Sequence, residues 1–312
     1  MAEKRALIVR LSSFGDVVLT SCLIDPLIEL GYRPHLLTFF PYGEVFSEDP
    51  RLKVFQIRKE ELFKEENLKA FKHFDLYVDL HKNLKTFLLR LLLGGSWKVY
   101  RKQSIRRRLA IYFKAFRKPY SVIDAYLSTI GYKEGRPKIV LSEDRVKSWK
   151  EKLGERYICI APGARYQKKR YPYFDKLAEL FLSIGYKVVY VGDQTDRKLS
   201  EDWKGINFCG QLSLMDVMAV IKGGMLFLGN DSGLLHVARA VGTKAVQVYG
   251  GTHPTLGFAL KEEEGIYMLK GLYCQPCDLH GKGKCRIGDY PYPCLHIDPY
   301  FIFERALSLL PS

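Results

Sequence analysis

Four turns in this 312-residue sequence carry residue types able to do chemistry. GNDSGLLH, residues 229–236, sets small and polar residues between the apolar runs MLFL and LLHVARAVG. Asp231 or Ser232 can cap the helix that follows, and Gly233 lacks the Cβ that would hinder close approach. The first amides of that helix have no partner inside it. Such amides, at the positive end of a helix dipole, bind phosphate, although a plain strand-to-helix cap uses the same residue types. His236 lies one turn on and faces either the same ligand or the core. PGARYQKKRYP (162–172) puts Arg165, Lys168, Lys169 and Arg170 after the apolar run YICIA, as a phosphate clamp or as an exposed basic loop. YGGTHP (249–254) brings Thr252 and His253 within reach of the same anion. SSFGD (12–16) combines a tight turn at Gly15 with Asp16 in the first turn of the next helix. That carboxylate either favours the helix terminus or takes a proton from a substrate hydroxyl as general base. GxGxxG and Walker A patterns are absent from these turns, which argues against dinucleotide oxidoreduction and P-loop chemistry.

The elements that must position these turns alternate between β-rich runs and helical periodicity, the pattern of α/β architecture with parallel sheets. Strands are predicted at 6–11, 35–40, 53–57, 76–80 and 97–100, then at 157–162, 187–192, 206–209, 225–229 and 244–250. In the second half the helices are predicted at 173–184, 195–203, 213–222 and 232–241. Two Rossmann-like units in tandem follow, joined by the polar stretch 135–156. Each turn above then lies at the carboxyl end of a strand, where such sheets bind ligands.

The net charge of +15 is concentrated. From Leu80 to Ile123 there are twelve Lys or Arg residues and no Asp or Glu, which suits an anionic partner or a solvated basic face. Cys22, Cys159 and Cys209 lie in apolar runs and are expected in the core. Cys274, Cys277, Cys285 and Cys294 fall within 21 residues, a spacing open to structural zinc, an iron–sulfur cluster, disulfides or free thiols. No apolar run approaches the length of a membrane span or a signal-peptide core, so a cytoplasmic location is expected.

VRLSSFGDVVLT, APGARYQKKRYP, GNDSGLLHVARAVGT and VQVYGGTHP, in that order across residues 9–254, resemble the successive motifs of the ADP-heptose:lipopolysaccharide heptosyltransferases, glycosyltransferase family nine. The resemblance implies a GT-B fold of two facing Rossmann-like domains. An acceptor domain would span 1–145 and a nucleotide-sugar domain 146–312, with a final helix at about 298–310 packing toward the first. It implies inverting transfer of heptose from ADP-heptose to the lipopolysaccharide inner core without a catalytic metal or other cofactor. Asp16 matches the general base and Lys169 the lysine that holds the diphosphate. Asp231, Ser232, Gly233, Leu234 and His236 match the donor loop, whose aspartate meets the sugar hydroxyls. Arg165 and Thr252 join the donor site, Leu212 falls where adenine packs, and Asp193 is placed for ribose. Ser12, Ser13, Gly15, Lys85, Arg101, Arg106, Arg107 and Arg108 are the acceptor candidates, meeting Kdo-lipid A or heptosyl-Kdo-lipid A at the inner leaflet. The enzyme would be a monomer, peripheral at the inner face of the inner membrane. Three departures stand out: Tyr171 where the family usually has Trp, Ser232 where Thr is common, and Asn230 where it has an apolar residue. Another nucleotide-sugar transferase of envelope glycan synthesis is the alternative enzyme. A basic nucleic-acid-binding protein is the alternative from another class, but RNP, KH and helix-turn-helix signatures are not evident and no nucleic-acid partner is expected.

Overall fold

The computed structural model describes residues 3–311. The chain divides into two units: one runs up to Lys102 and includes Val122–Val140, and the other comprises Gln103–Ser121 and the chain from Leu141 onward. The predicted division at 145 is therefore displaced by a few residues, and the segment 103–121 joins the second unit rather than the first. Long-range contacts cause this. Arg107 stacks on Phe258 and Arg117 donates to the Tyr273 carbonyl, whereas the helix in this segment buries only Ala110.

In chain order the elements are β1 (Lys4–Val9), α1 (Phe14–Leu19), α2 (Ile24–Glu29), β2 (Tyr32–Phe39), β3 (Lys53–Ile57), α3 (Glu65–Ala70), β4 (Leu76–Asp79), α4 (Leu84–Leu93) and β5 (Trp97–Val99). Next come α5 (Ser104–Tyr112), α6 (Val122–Thr129), α7 (Glu143–Leu153), β6 (Tyr157–Ala161), α8 (Phe174–Ser183), β7 (Lys187–Tyr190), α9 (Gln194–Leu199) and β8 (Ile206–Asn207). The last are α10 (Leu214–Gly223), β9 (Leu226–Asn230), α11 (Gly233–Val241), β10 (Ala245–Tyr249), β11 (Gly265–Leu269) and α12 (Pro299–Leu307).

The first unit is a five-stranded parallel sheet ordered β3-β2-β1-β4-β5. Its central strand reads as an unbroken apolar run because helices cover both faces; Ala6, Leu7, Ile8 and Val9 have no exposed surface. The second unit is a six-stranded parallel sheet ordered β11-β10-β9-β6-β7-β8. All ten predicted strands occur; β11, GIYML after an acidic turn, was not predicted. Local capping sets several helix starts. Asn83 accepts from the Thr86 amide, Ser213 from Asp216, and Asp298 from Tyr300 with Pro299 at the first helical position.

In each sheet the strand order reverses at one place, β1/β4 in the first unit and β6/β9 in the second. There the loops diverge to opposite faces and leave a crevice at the carboxyl ends. Ile302, Phe303 and Ala306 of α12 lie in the second unit's core, with Phe303 edge-on to Phe181 of α8, so its apolar face is occupied by its own unit.

Candidate active site

GNDSGLLH runs from the end of β9 into α11, beside the β6/β9 reversal. Asp231 is buried, and three partners hold its carboxylate. Lys169 Nζ lies 2.9 Å from Oδ2, the Thr252 hydroxyl donates to Oδ2 at 2.8 Å, and Gln247 Nε2 donates to Oδ1 at 3.1 Å. Burial alone would raise this carboxyl's pKa. The Lys169 ammonium, its hydrogen bond, the nearby His236 and the Thr252 hydroxyl outweigh that effect and hold it below the usual carboxylate value. Asp231 is thus a fixed anion that sets the position of Lys169.

Neither expected cap is used. Ser232 sits at the N-cap of α11 in extended conformation with no side-chain hydrogen bond to the helix, and Asp231 is engaged elsewhere. The first amides of α11, at the partly exposed Ser232, Gly233 and Leu234, are left to a ligand. His236 is buried with its ring 5.7 Å from Phe258. The far half of α11 is pinned by the buried pair Arg239–Glu264 at 2.6 Å.

Asn230, one of the three departures from the family pattern, ties backbone together. Fully buried, it donates to the carbonyls of Pro162 and Gly163 at 2.9 and 3.0 Å and accepts from the Tyr171 amide at 2.9 Å. It ties both ends of the cation loop to β9. Tyr171, the neighbouring departure, is itself buried and donates its hydroxyl to the Ile297 carbonyl at 2.7 Å. Asn230→Val would leave three buried backbone groups without partners, at about 1–3 kcal/mol each. We expect the variant to lose roughly 3 kcal/mol or more of stability, read as a lowered urea midpoint.

The cation loop splits rather than acting as one clamp. Lys169 reaches Asp231. Lys168 is buried and points the other way, with Nζ 3.5 Å from Cys277 Sγ. Arg170 donates to the Ala164 carbonyl at 2.6 Å, and Arg165 is exposed over the Tyr166 ring. Adjacent residues at a bend point to opposite sides, so four cations in sequence need not converge. Gly250 lets this loop pack closely, since a Cβ there would collide with the Lys168 carbonyl. Asp193 and Leu212 follow β7 and β8 on the same sheet edge. Asp193 Oδ1 caps α9 through the Thr195 and Asp196 amides, and Leu212 is half-buried before α10.

In the first unit, Asp16 stands at the β1/β4 reversal. Arg10 Nη2 lies 2.7 Å from Asp16 Oδ2, and the Ser13 hydroxyl donates to the same oxygen at 2.8 Å. Arg10 is buried and also donates to the carbonyls of Ser12 and Leu80, at 2.7 and 2.6 Å. It therefore locks the loops after β1 and β4 together around the carboxylate. Sequence reasoning missed Arg10 and Gln247. The available signal was the same for both: a lone polar side chain set within or at the end of an apolar strand.

His81 was also missed. Burial, then the charges of Arg10 and Lys102, lower its pKa to about 4, against the weaker pull of Asp79 and Asp16. An unfolded imidazole takes up its proton near pH 6.5. Between pH 6.5 and 4, then, unfolding takes up a proton, and stability falls as pH drops through that window by up to about 3 kcal/mol. Comparing acid unfolding of the wild type with His81→Gln checks this; the variant's stability should vary less between those pH values.

The acceptor candidates fall in both units. Ser12, Ser13, Gly15, Lys85 and Arg101 belong to the first, Arg106, Arg107 and Arg108 to the second. Arg106 is taken up by the Lys118 and Phe116 carbonyls and the Tyr120 ring. Arg108 is exposed. Zinc at the four C-terminal cysteines is not supported. Among the described residues no group of three or more His, Cys, Asp or Glu side chains is placed to hold a metal ion. All four cysteines are free of disulfides and line one cavity of about 230 Å³. Cys22, Cys159 and Cys209 are core residues as expected.

The profile of glycosyltransferase family 9 (heptosyltransferase) matches residues 66–284. Among curated proteins, lipooligosaccharide heptosyltransferase 2 of Haemophilus influenzae is 31% identical over 177 residues, covering 51% of this chain and 49% of the relative. The chain spans about half the length of the curated relatives it matches. The structure of E. coli ADP-heptose LPS heptosyltransferase II superposes with a TM-score of 0.74 at 20% identity, covering 98% of both chains. A family 9 glycosyltransferase from Veillonella parvula gives 0.77 at 19%, covering 99% of this chain and 98% of that one. At these identities the structural likeness establishes the fold.

Proposed function

The chain belongs to glycosyltransferase family 9, and from that premise we propose that it transfers heptose from ADP-heptose to a hydroxyl of the lipopolysaccharide inner core, with inversion at the anomeric carbon. The observation that carries this reading is the pair of half-buried Lys169 with buried Asp231 beside the open amides of α11. A diphosphate held there meets one fixed cation and a helix terminus. As the bond from the anomeric carbon to the diphosphate oxygen breaks, ADP gains negative charge, and these groups stabilise it more in the transition state than in the ground state. Leu212 packs on adenine, and the second oxygen of Asp193 accepts from ribose.

The first unit supplies the base. Asp16 takes the proton of the acceptor hydroxyl while that oxygen bonds to the anomeric carbon and ADP departs with the bonding electron pair. Arg10 and the Ser13 hydroxyl orient the carboxylate. Lys85, Arg101, Arg107 and Arg108 meet the carboxylates and phosphates of the acceptor, which places the enzyme at the inner-leaflet surface. Asn230, one of the three departures from the family pattern, holds loop backbone and so gives no ground for a different donor.

Comparing donors tests the proposal. Turnover with ADP-heptose on a Kdo-containing acceptor should exceed that with UDP- or GDP-sugars; its absence on every such acceptor overturns the reading.

A further inference from the structure

Most amphipathic helices of a folded unit turn their apolar stripe inward. α4 does the reverse. Its inward face is narrow, with only Thr86 and Leu89 buried. Leu84, Phe87, Leu88, Leu91 and Leu92 are 73%, 46%, 41%, 67% and 53% exposed. At about 100° per residue these five share an arc of roughly 140° on one side of the helix. Lys85 borders the arc on one side and Arg90 on the other.

The helix is built to hold this face outward. Asn83 and Thr86 cap it reciprocally, at 3.0 Å for the Thr86 amide and 3.1 Å for the Asn83 amide. Gly94 ends it with a positive φ of 61°. Arg90 stacks on Phe87 and lies 3.8 Å from the buried Asp79. The exposed leucines are thus fixed by the fold and do not come from a frayed end.

We propose that the exposed face of α4 inserts into the surface of an anionic phospholipid bilayer, and that the cations around it bind the headgroups. Charge decides the occupant. Lys82, Lys85, Arg90, Lys98, Arg101 and Lys102 surround α4 in sequence within the same unit, and no Asp or Glu occurs between Leu80 and Ile123. A second copy would bring an equally cationic border against the first, and the two would repel. Acidic headgroups match the border, and acyl chains match the stripe. Helices of this kind lie in the interface plane and draw on both terms. The inference deepens the proposed reading, which already sets the enzyme at the inner-leaflet surface and shares Lys85 and Arg101 with the acceptor: it names the element that inserts, and it uses neither donor nor base.

Sedimentation with vesicles tests it. With vesicles of phosphatidylcholine containing about a third phosphatidylglycerol, the wild type should bind at least tenfold more tightly than to pure phosphatidylcholine. The double variant Leu91→Gln, Leu92→Gln, at positions more than half exposed, should reduce that binding about tenfold or more. Transfer to a lipid-free core oligosaccharide should be unaltered in the variant, so failure of the transfer reaction and failure of docking are separate results. As a direct depth probe, Leu88→Trp fluorescence should shift blue and be quenched by brominated lipid. Three results overturn the proposal: no wild-type binding to anionic vesicles, equal binding by the double variant, or a wild-type dimer that the double variant abolishes.

Discussion

Asp16→Asn is expected to lower turnover by roughly 10²–10⁴-fold, the usual scale for losing a general base, while ADP affinity stays within about twofold. The substitution keeps the shape and an oxygen that can accept from Ser13 and Arg10. It removes the charge and the proton-accepting capacity. The proposed donor contacts, Lys169 and the start of α11, belong to the second unit, so calorimetric titration with ADP on the same preparation serves as an internal control. Arg10 is buried and loses an ionic partner, yet its bonds to the Leu80 and Ser12 carbonyls persist, so we expect the fold to survive. Unchanged turnover would remove Asp16 from the role of base. An equal loss of ADP affinity would show that the change had reached the second unit instead.

Lys169→Met should have two separable effects. If Lys169 faces the leaving group as proposed, its loss should lower kcat by roughly 10²–10³-fold, the scale seen when one stabilising donor is removed from a preorganised site. It also leaves the Asp231 carboxylate buried with the neutral donors Thr252 and Gln247 and with His236 nearby, but without its ammonium partner. Breaking one side of a buried pair costs about 3–5 kcal/mol, because the remaining charge is stranded. Adding Asp231→Asn should therefore restore much of the stability without restoring turnover. A double-mutant cycle read by both unfolding and kinetics separates the terms. If Lys169→Met turns over like the wild type, the proposed diphosphate site is wrong. If the second substitution fails to recover stability, the pair is not the unit described above.

Much of the fold was legible because burial leaves a local trace. A parallel strand covered on both faces must be apolar along its length, so YICIA, KVVY, LFLGN and AVQVY stood out from their neighbours. Once strands and helices alternate, the useful loops must lie at the strands' carboxyl ends, and on that ground Asp16, Asp231, Thr252 and the four cations of 165–170 could be singled out, whereas only the family resemblance set Lys169 apart from its neighbours. β11 escaped because five residues following three glutamates carry too little pattern to separate strand from turn.

By itself, then, the sequence determined the two parallel-sheet units, the turns that could carry chemistry, and the residue types in them. Tertiary structure alone decided which partner each polar side chain takes. It paired Lys169 with Asp231 but turned Lys168 toward Cys277. It assigned Asn230 to loop backbone 59 to 68 residues away. It moved α5 to the second unit, lined one cavity with four cysteines, and left the leucines of α4 facing outward. The physical reason is one of range. Hydrophobic periodicity is set by neighbours within a turn or two, whereas a hydrogen bond or ion pair depends on strand order and loop packing, which bring together residues that are far apart in the chain.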